Sequence, residues 1–170
     1  MKVIMYMAMT ANGFIATKND GTDFVTKEES ASYVAMVISA GNMIIGHRTY
    51  EILSTQPEFQ KFLKAGVKIV AMAREDFALK DVKHTIAHSP QEALSLFAAS
   101  DTIIVAGGGI TNLAFLEANL VDEIYLDIEP EIIGSGISLF KEGDFEKQLK
   151  FVGVKQLSDS EMQLHYEVKK

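Results

Sequence analysis

The sequence predicts an α/β fold: helices packed on a mostly parallel central sheet, closed at the C-terminus by an antiparallel hairpin. Two observations carry that expectation. Apolar or β-branched runs at residues 3–9, 43–46, 67–73 and 102–106 alternate with stretches of helical period, the pattern of βα units. The tail changes character, because residues 151–157 and 162–168 are both strand-like and are joined by Ser158-Asp159-Ser160-Glu161, a hairpin signal. A chain of 170 residues with 48% hydrophobic and 23% charged residues suits one domain, expected to span residues 1–170.

In chain order, residues 3–9 are apolar enough for an interior strand that ends at Asn12-Gly13, and Lys18-Asn19-Asp20-Gly21 forms a second turn. Thr26 followed by Glu29 has capping-box spacing, so a helix starts there and runs through Tyr33, Val34, Val37 and Ile38 to Gly41. After the strand at 43–46, His47-Arg48-Thr49-Tyr50 opens a short helix or turn that Gln56-Pro57 breaks. Strands are expected at 67–73 and, after a polar loop, at 83–87. Ser89 caps a helix with Pro90 at its first position, ending near Ala99. The strand at 102–106 runs into Gly107, Gly108 and Gly109. A helix over 110–119 follows, with Ile110, Leu113 and Leu116 in one stripe. On the strand at 124–129, alternation puts Tyr125, Asp127 and Glu129 on one face.

Composition excludes several function classes. Net charge is −7 with no basic stripe, which argues against a nucleic-acid surface. With no cysteine, disulfides, thiol chemistry and thiolate zinc sites are excluded. His47, His84, His88 and His165 are scattered, and the i, i+4 pair His84/His88 falls on an expected strand, so no metal site is expected. There is no Gly-x-Ser-x-Gly elbow. No apolar run is long enough to span a bilayer and the N-terminus lacks a signal-peptide pattern, so no membrane partner and a cytoplasmic location are expected.

The glycine turn is the candidate site. Glycines allow a ligand close to the backbone, and a helix opening beside them presents free N–H groups and a positive dipole end to a phosphate. Gly107-x-Gly109-x-x-Asn112 lacks the third glycine of the Rossmann fingerprint and lies late in the chain, where that motif normally occupies the first βα turn. Two readings stand at this point: a phosphate site, or a tight turn for close helix–strand packing. A Rossmann-type NAD binder is a third possibility from the turn alone.

Taken in order, several segments resemble the dihydrofolate reductase superfamily. The likeness covers nearly the whole chain, and within the superfamily it is nearest to the reductase domain of the bifunctional deaminase–reductase of riboflavin biosynthesis. The opening MYMAMTANGFIA resembles the family's first strand and turn, and Asp23-Phe24-Val25-Thr26 its Trp-Ile-Thr at the first helix. Ile45-Gly46-His47-Arg48-Thr49-Tyr50 and Val105-Ala106-Gly107-Gly108-Gly109 resemble its two cofactor turns. Leu120-Val121-Asp122-Glu123, Glu129-Pro130 and Ile133-Gly134-Ser135-Gly136-Ile137-Ser138-Leu139-Phe140 match the riboflavin branch.

The resemblance implies a dihydrofolate reductase-like three-layer α/β/α fold and an NADPH-dependent reductase, cytoplasmic and homodimeric, that passes a hydride to a small heterocyclic substrate. By position, Ala8 and Ile15 flank the nicotinamide. Gly46, His47, Arg48 and Thr49 hold phosphate groups, Arg48 and Arg74 reach the 2′-phosphate, and Gly107, Gly108, Gly109, Ile110, Thr111 and Asn112 cradle the pyrophosphate. Asp127 aligns with a substrate-contacting threonine and is the candidate catalytic residue, orienting substrate or relaying a proton; a solvated or ion-paired strand carboxylate is the competing reading. Asn12, Phe24, Thr26 and Ser30 are the substrate-side candidates, with core packing the competing role for Phe24. The sequence departs from the family at the substrate end. Ser30 occupies the place of the folate enzymes' helix carboxylate, and Glu29 lies about 100° away around the helix. Ala106 replaces the riboflavin branch's glutamate, and no basic residue stands between Gln56 and Gln60. A nucleotide-binding module of the same fold without catalysis is therefore the alternative.

Overall fold

The computed structural model describes residues 1–99 and 101–170. From the N-terminus, β1 (Lys2–Thr10) turns at Gly13 into the short β2 (Phe14–Ala16), and α1 (Lys27–Ala40) follows. Next come β3 (Asn42–Gly46), α2 (His47–Leu53), α3 (Pro57–Ala65), β4 (Lys68–Met72), β5 (Thr85–Ala87) and α4 (Pro90–Ser95). The second half contains β6 (Thr102–Val105), α5 (Gly109–Glu117), β7 (Glu123–Glu129), β8 (Ile137–Ser138), β9 (Leu149–Gln156) and β10 (Met162–Val168).

An eight-stranded sheet runs in the order β5-β4-β3-β6-β1-β7-β10-β9. Neighbours from β5 to β7 pair in parallel, and β10 is antiparallel to both β7 and β9. One face packs Ile4, Tyr6, Met43 and Ile69 against Val37, Tyr50 and Phe62 of α1–α3; the other packs Val3, Met5 and Ile103 against Ala93 and Phe115 of α4 and α5. Burying a side chain such as Phe62 or Phe115 contributes on the order of 2–3 kcal/mol. The result is the expected three-layer arrangement with a mostly parallel sheet and an antiparallel hairpin.

Local signals explain most boundaries. The Thr26 Oγ1 accepts the Glu29 N–H at 3.1 Å, and α1 ends where Gly41 turns left-handed at φ 69°. The Ser89 side chain likewise accepts the Glu92 N–H ahead of Pro90. Four expectations need correction. Gln56-Pro57 does not break the structure but starts α3, with proline in the first turn, Phe59 and Phe62 buried, and a left-handed Gly66 at the end. Helix α4 stops at Ser95, well before Ala99. The buried face of α5 is Thr111, Asn112, Phe115 and Leu116, while Ile110 is 63% exposed. The expected stripe counted only apolar residues, whereas here polar side chains face inward because they brace the neighbouring turn. The two-stranded ribbon of β2 and β8 lacked a signal long enough to read.

Candidate active site

Because β3 and β6 are parallel neighbours, the turns that follow them emerge together at one edge of the sheet. The two turns touch: the Gly46 N–H donates to the Gly107 carbonyl at 2.7 Å. Glycine is required on both sides of the junction. A Cβ at Gly46 would lie 2.6 Å from Thr111 Oγ1, and one at Gly108 would lie 3.1 Å from Thr49 Oγ1. Gly107 has φ 78°, and the Gly107–Gly108 peptide is cis. Neither α2 nor α5 has a side-chain cap, so the first N–H groups of α5 open onto the space in front of the junction. That space is a cleft of about 980 Å³.

Most of the expected cofactor residues meet there. Ala8, Ile15, Gly46, His47, Arg48, Thr49, Arg74, Gly108, Gly109, Ile110 and Thr111 all line the cleft. Gly107 and Asn112 stand behind the wall, where the Asn112 Nδ2 donates to the Leu139 carbonyl at 2.9 Å and braces the start of α5. Arg48 is engaged within the protein: its guanidinium grips Asp20, with Nε 2.8 Å from the carboxylate, across from the loop after β2. Arg74 lines the wall near Glu75 and Asp76.

The substrate-side expectations divide. Ser30 lines the cleft, its hydroxyl 3.3 Å from Glu58 Oε1. Three others fall outside its lining. Asn12 is exposed and donates to the Ile133 carbonyl at 2.8 Å, Thr26 caps α1, and Phe24 is buried in ordinary packing. Asp127 is neither solvated nor ion-paired. It is 1% exposed and sits behind Tyr6, whose hydroxyl lines the cleft and donates to Asp127 Oδ2 at 2.5 Å. The Gln163 Nε2 donates to the same hydroxyl at 3.0 Å, and Ser32 Oγ lies 3.0 Å from it.

Asp127 belongs to a buried group of acids. Glu29, Asp127, Glu129 and Glu161 are each at most 5% exposed. Burial pushes the Glu29 carboxyl up to about 8, helped by Asp127, Glu129, Glu161 and Glu58, with no cation among its main influences. Burial also raises Glu129 to about 8, followed by its contact with the Glu161 carboxyl. Asp127 is raised by burial even though the hydrogen bonds from Tyr6 and Gln163 pull the other way. Tyr6 is raised by burial and then by Asp127, so it remains a hydroxyl. At neutral pH the floor therefore holds protons that a reaction in the cleft can use. Among the described residues no group of three or more metal-ligating side chains stands together, and no helix is long and apolar enough to cross a membrane.

A family model for the RibD C-terminal domain matches residues 1–162. The chain belongs to that family. Three solved structures share its fold. A Shewanella sp. PV-4 protein assigned to riboflavin biosynthesis has a TM-score of 0.81 at 18% identity, covering 100% of both chains. The Thermotoga maritima diaminohydroxyphosphoribosylaminopyrimidine deaminase/5-amino-6-(5-phosphoribosylamino)uracil reductase scores 0.72 at 16% identity, over 99% of this chain and 56% of that one. Dihydrofolate reductase from Enterococcus faecalis, in complex with NADP(H), scores 0.77 at 13% identity, over 99% and 97%. This RibD-type fold disposes of the Rossmann reading. The glycine turn follows β6, between β3 and β1, and the sheet ends in an antiparallel hairpin.

Sequence reasoning missed Glu29, Tyr6 and Gln163. Glu29 carried a legible signal, since it stands at i, i+4 and i+8 with Tyr33 and Val37 on the inward stripe of α1. Weighing it only as a stand-in for Ser30 hid that. Gln163 reaches Tyr6 across 157 residues of sequence, and no local pattern announces such a contact.

Proposed function

We propose that this RibD-type chain is an NADPH-dependent reductase acting on a small heterocyclic substrate, of the 5-amino-6-(5-phosphoribosylamino)uracil reductase type or a divergent relative. Family membership supports a reductase. The observation that carries the cofactor is the junction of two glycine turns on an open cleft, with the uncapped start of α5 facing it. The residues present fit a phosphorylated dinucleotide: backbone without Cβ atoms for close approach, free N–H groups for the pyrophosphate, and arginines for a 2′-phosphate.

When bound, NADPH supplies the hydride. The chain's part is placement and proton supply. The N–H groups from Gly109 to Thr111 and the Thr49 hydroxyl take the phosphates; Arg48 and Arg74 take the 2′-phosphate. Ala8 and Ile15 flank the nicotinamide and keep water from its face. Tyr6, held by Asp127 and Gln163, presents a hydroxyl to the substrate, and Asp127 acts through it.

Fluorescence titration with NADPH and NADH, followed by a screen for substrate-dependent NADPH oxidation, tests this reading. Tighter binding of NADPH and oxidation with at least one pteridine, pyrimidine or quinone-like compound are expected. Stoichiometric binding without oxidation across that panel would leave a nucleotide-binding module, and no binding would remove the reading altogether. The working unit in this proposal is a homodimer joined through the outer strands. Phe151, Val152, Val154 and Met162 of that hairpin are 57%, 44%, 56% and 52% exposed, an apolar strip at a sheet edge. Sedimentation velocity checks it, with Val154→Lys expected to shift a dimer to monomer.

A further inference from the structure

The charges lining the cleft are unevenly distributed. Around the turn junction both signs occur, with Arg48, Arg74 and Lys141 beside Asp20 and Asp76. At the end bounded by α1 and α3 the charged lining groups are Glu29 and Glu58, flanked by the rings of Tyr6 and Tyr33. The nearest lysine, Lys61, is not free to offset them, since it pairs with Glu58 at 3.3 Å. Burial pushes Glu58 up, but its own backbone N–H and Lys61 outweigh this and keep it ionised. An anion placed here would meet carboxyls on two sides without a countercharge, in surroundings where such repulsion is poorly screened.

Glu29 has the opposite preference. It is 5% exposed, opens on the cleft, and faces acids from every element packed on it: Asp127 and Glu129 on β7, Glu161 before β10, and Glu58 on α3. The phenols of Tyr6 on β1 and Tyr33 on its own helix complete the surroundings. A bound cation is what would let this carboxyl ionise.

Building on the reductase reading, we propose that the substrate is an unphosphorylated planar ring carrying a basic nitrogen, of the imine or amidine class, and that Glu29 is the residue that recognises it. The balanced step is a proton passing from the Glu29 carboxyl to the ring nitrogen while the hydride from reduced nicotinamide reaches the adjacent carbon. The C=N bond becomes CH–NH, the nicotinamide is oxidised, and the Glu29 carboxylate regains its proton from water. This departs from a sugar-phosphate substrate such as the one in the name of the Thermotoga maritima enzyme.

Calorimetry on the NADPH-loaded protein tests the proposal, with benzamidine, benzoate and phenyl phosphate as planar probes of opposite charge. Benzamidine is expected to bind at least about tenfold more tightly than either anion. At pH 7, enthalpies in two buffers of different ionisation heat should report release of close to one proton, because Glu29 ionises as the cation binds. Affinity should rise by up to about tenfold per pH unit between pH 6 and 8, then level off. Glu29→Gln should abolish the proton release and flatten the pH profile, and Glu29→Asp should restore both in part. A preference for phenyl phosphate or benzoate, no benzamidine binding, or proton release that persists in Glu29→Gln would overturn the proposal. NADPH titrated in parallel separates the two levels: NADPH affinity kept in Glu29→Gln certifies its fold, whereas no NADPH binding in the unmodified protein overturns the reductase reading itself.

Discussion

The two ends of the cleft are made from different parts of the polypeptide. At the turn junction the working surface is backbone: glycines that admit a ligand, and the open N–H groups of α5. At the α1 end it is side chains from separate segments, Tyr6 from β1, Glu29 from α1, Asp127 from β7 and Gln163 from β10, held together only by tertiary packing. A backbone-built site is insensitive to charge and intolerant of added volume. A site made of buried acids is the reverse, since its chemistry depends on how thoroughly water is kept away. Substitutions at one end should therefore leave the other end's readout untouched.

The strongest separation is expected from Asp127→Asn. The amide keeps the packing but weakens the acceptor that orients the Tyr6 hydroxyl, so turnover should fall about 100- to 1,000-fold with NADPH affinity unchanged. Pre-steady-state oxidation and fluorescence titration read the two quantities separately. A loss of cofactor binding in this variant would show that the two ends are not independent. The mirror experiment is Gly108→Val. Gly108 has φ −76°, so the backbone accepts the change, but a Cβ there enters the space in front of Thr49. NADPH affinity should drop by about 100-fold, close to 2.7 kcal/mol, while benzamidine binding and its linked proton are preserved.

The same division explains what the sequence made legible. The turn end is a local property, so Gly46 and Gly107–Gly109 could be read from glycines that follow β-branched runs, and parallel pairing of β3 with β6 then brings them together. The acid end is long-range. Asp127 and Glu129 were visible as one face of an alternating strand, but the burial that gives them chemistry comes from Gln163 and Glu161, across a hairpin whose register no local pattern fixes. Where reading failed within a single helix, as with Ile110 on α5 and Glu29 on α1, the cause was the same. A polar residue on an inward stripe was counted as solvent-facing, although tertiary neighbours had a use for it.

Stability should carry the acid end's signature in its pH dependence. The folded-state carboxyls of Glu29 and Glu129 lie above their unfolded values, so the folded protein binds protons more tightly between the two. Their contribution is fully present near and below pH 4.5 and is lost as pH rises through about 8. Each group should lower stability by up to about 1.4 kcal/mol per pH unit across that window. Denaturant melts at pH 5.5 and 8.5 should show the decline, and Glu129→Gln should flatten part of it. A protein that gains stability over this range would mean that water reaches these carboxyls.

The smallest effect belongs to the turn end, at the one place where it relies on a side chain. Arg48 is the arginine best placed for a 2′-phosphate, yet its guanidinium is held by Asp20, a left-handed residue at φ 64° in the loop after β2. Binding a phosphate there must loosen or replace that ion pair, and an exposed pair is worth only about 0.2–1 kcal/mol. Asp20→Asn should accordingly tighten NADPH about two- to fivefold and leave NADH unchanged, since NADH has no phosphate to compete for the arginine. Arg48→Gln should erase the difference between the two nucleotides. Equal gains for NADH and NADPH in Asp20→Asn would mean that the loop, rather than the charge, is what the cofactor displaces, and that Arg74 alone reads the 2′-phosphate.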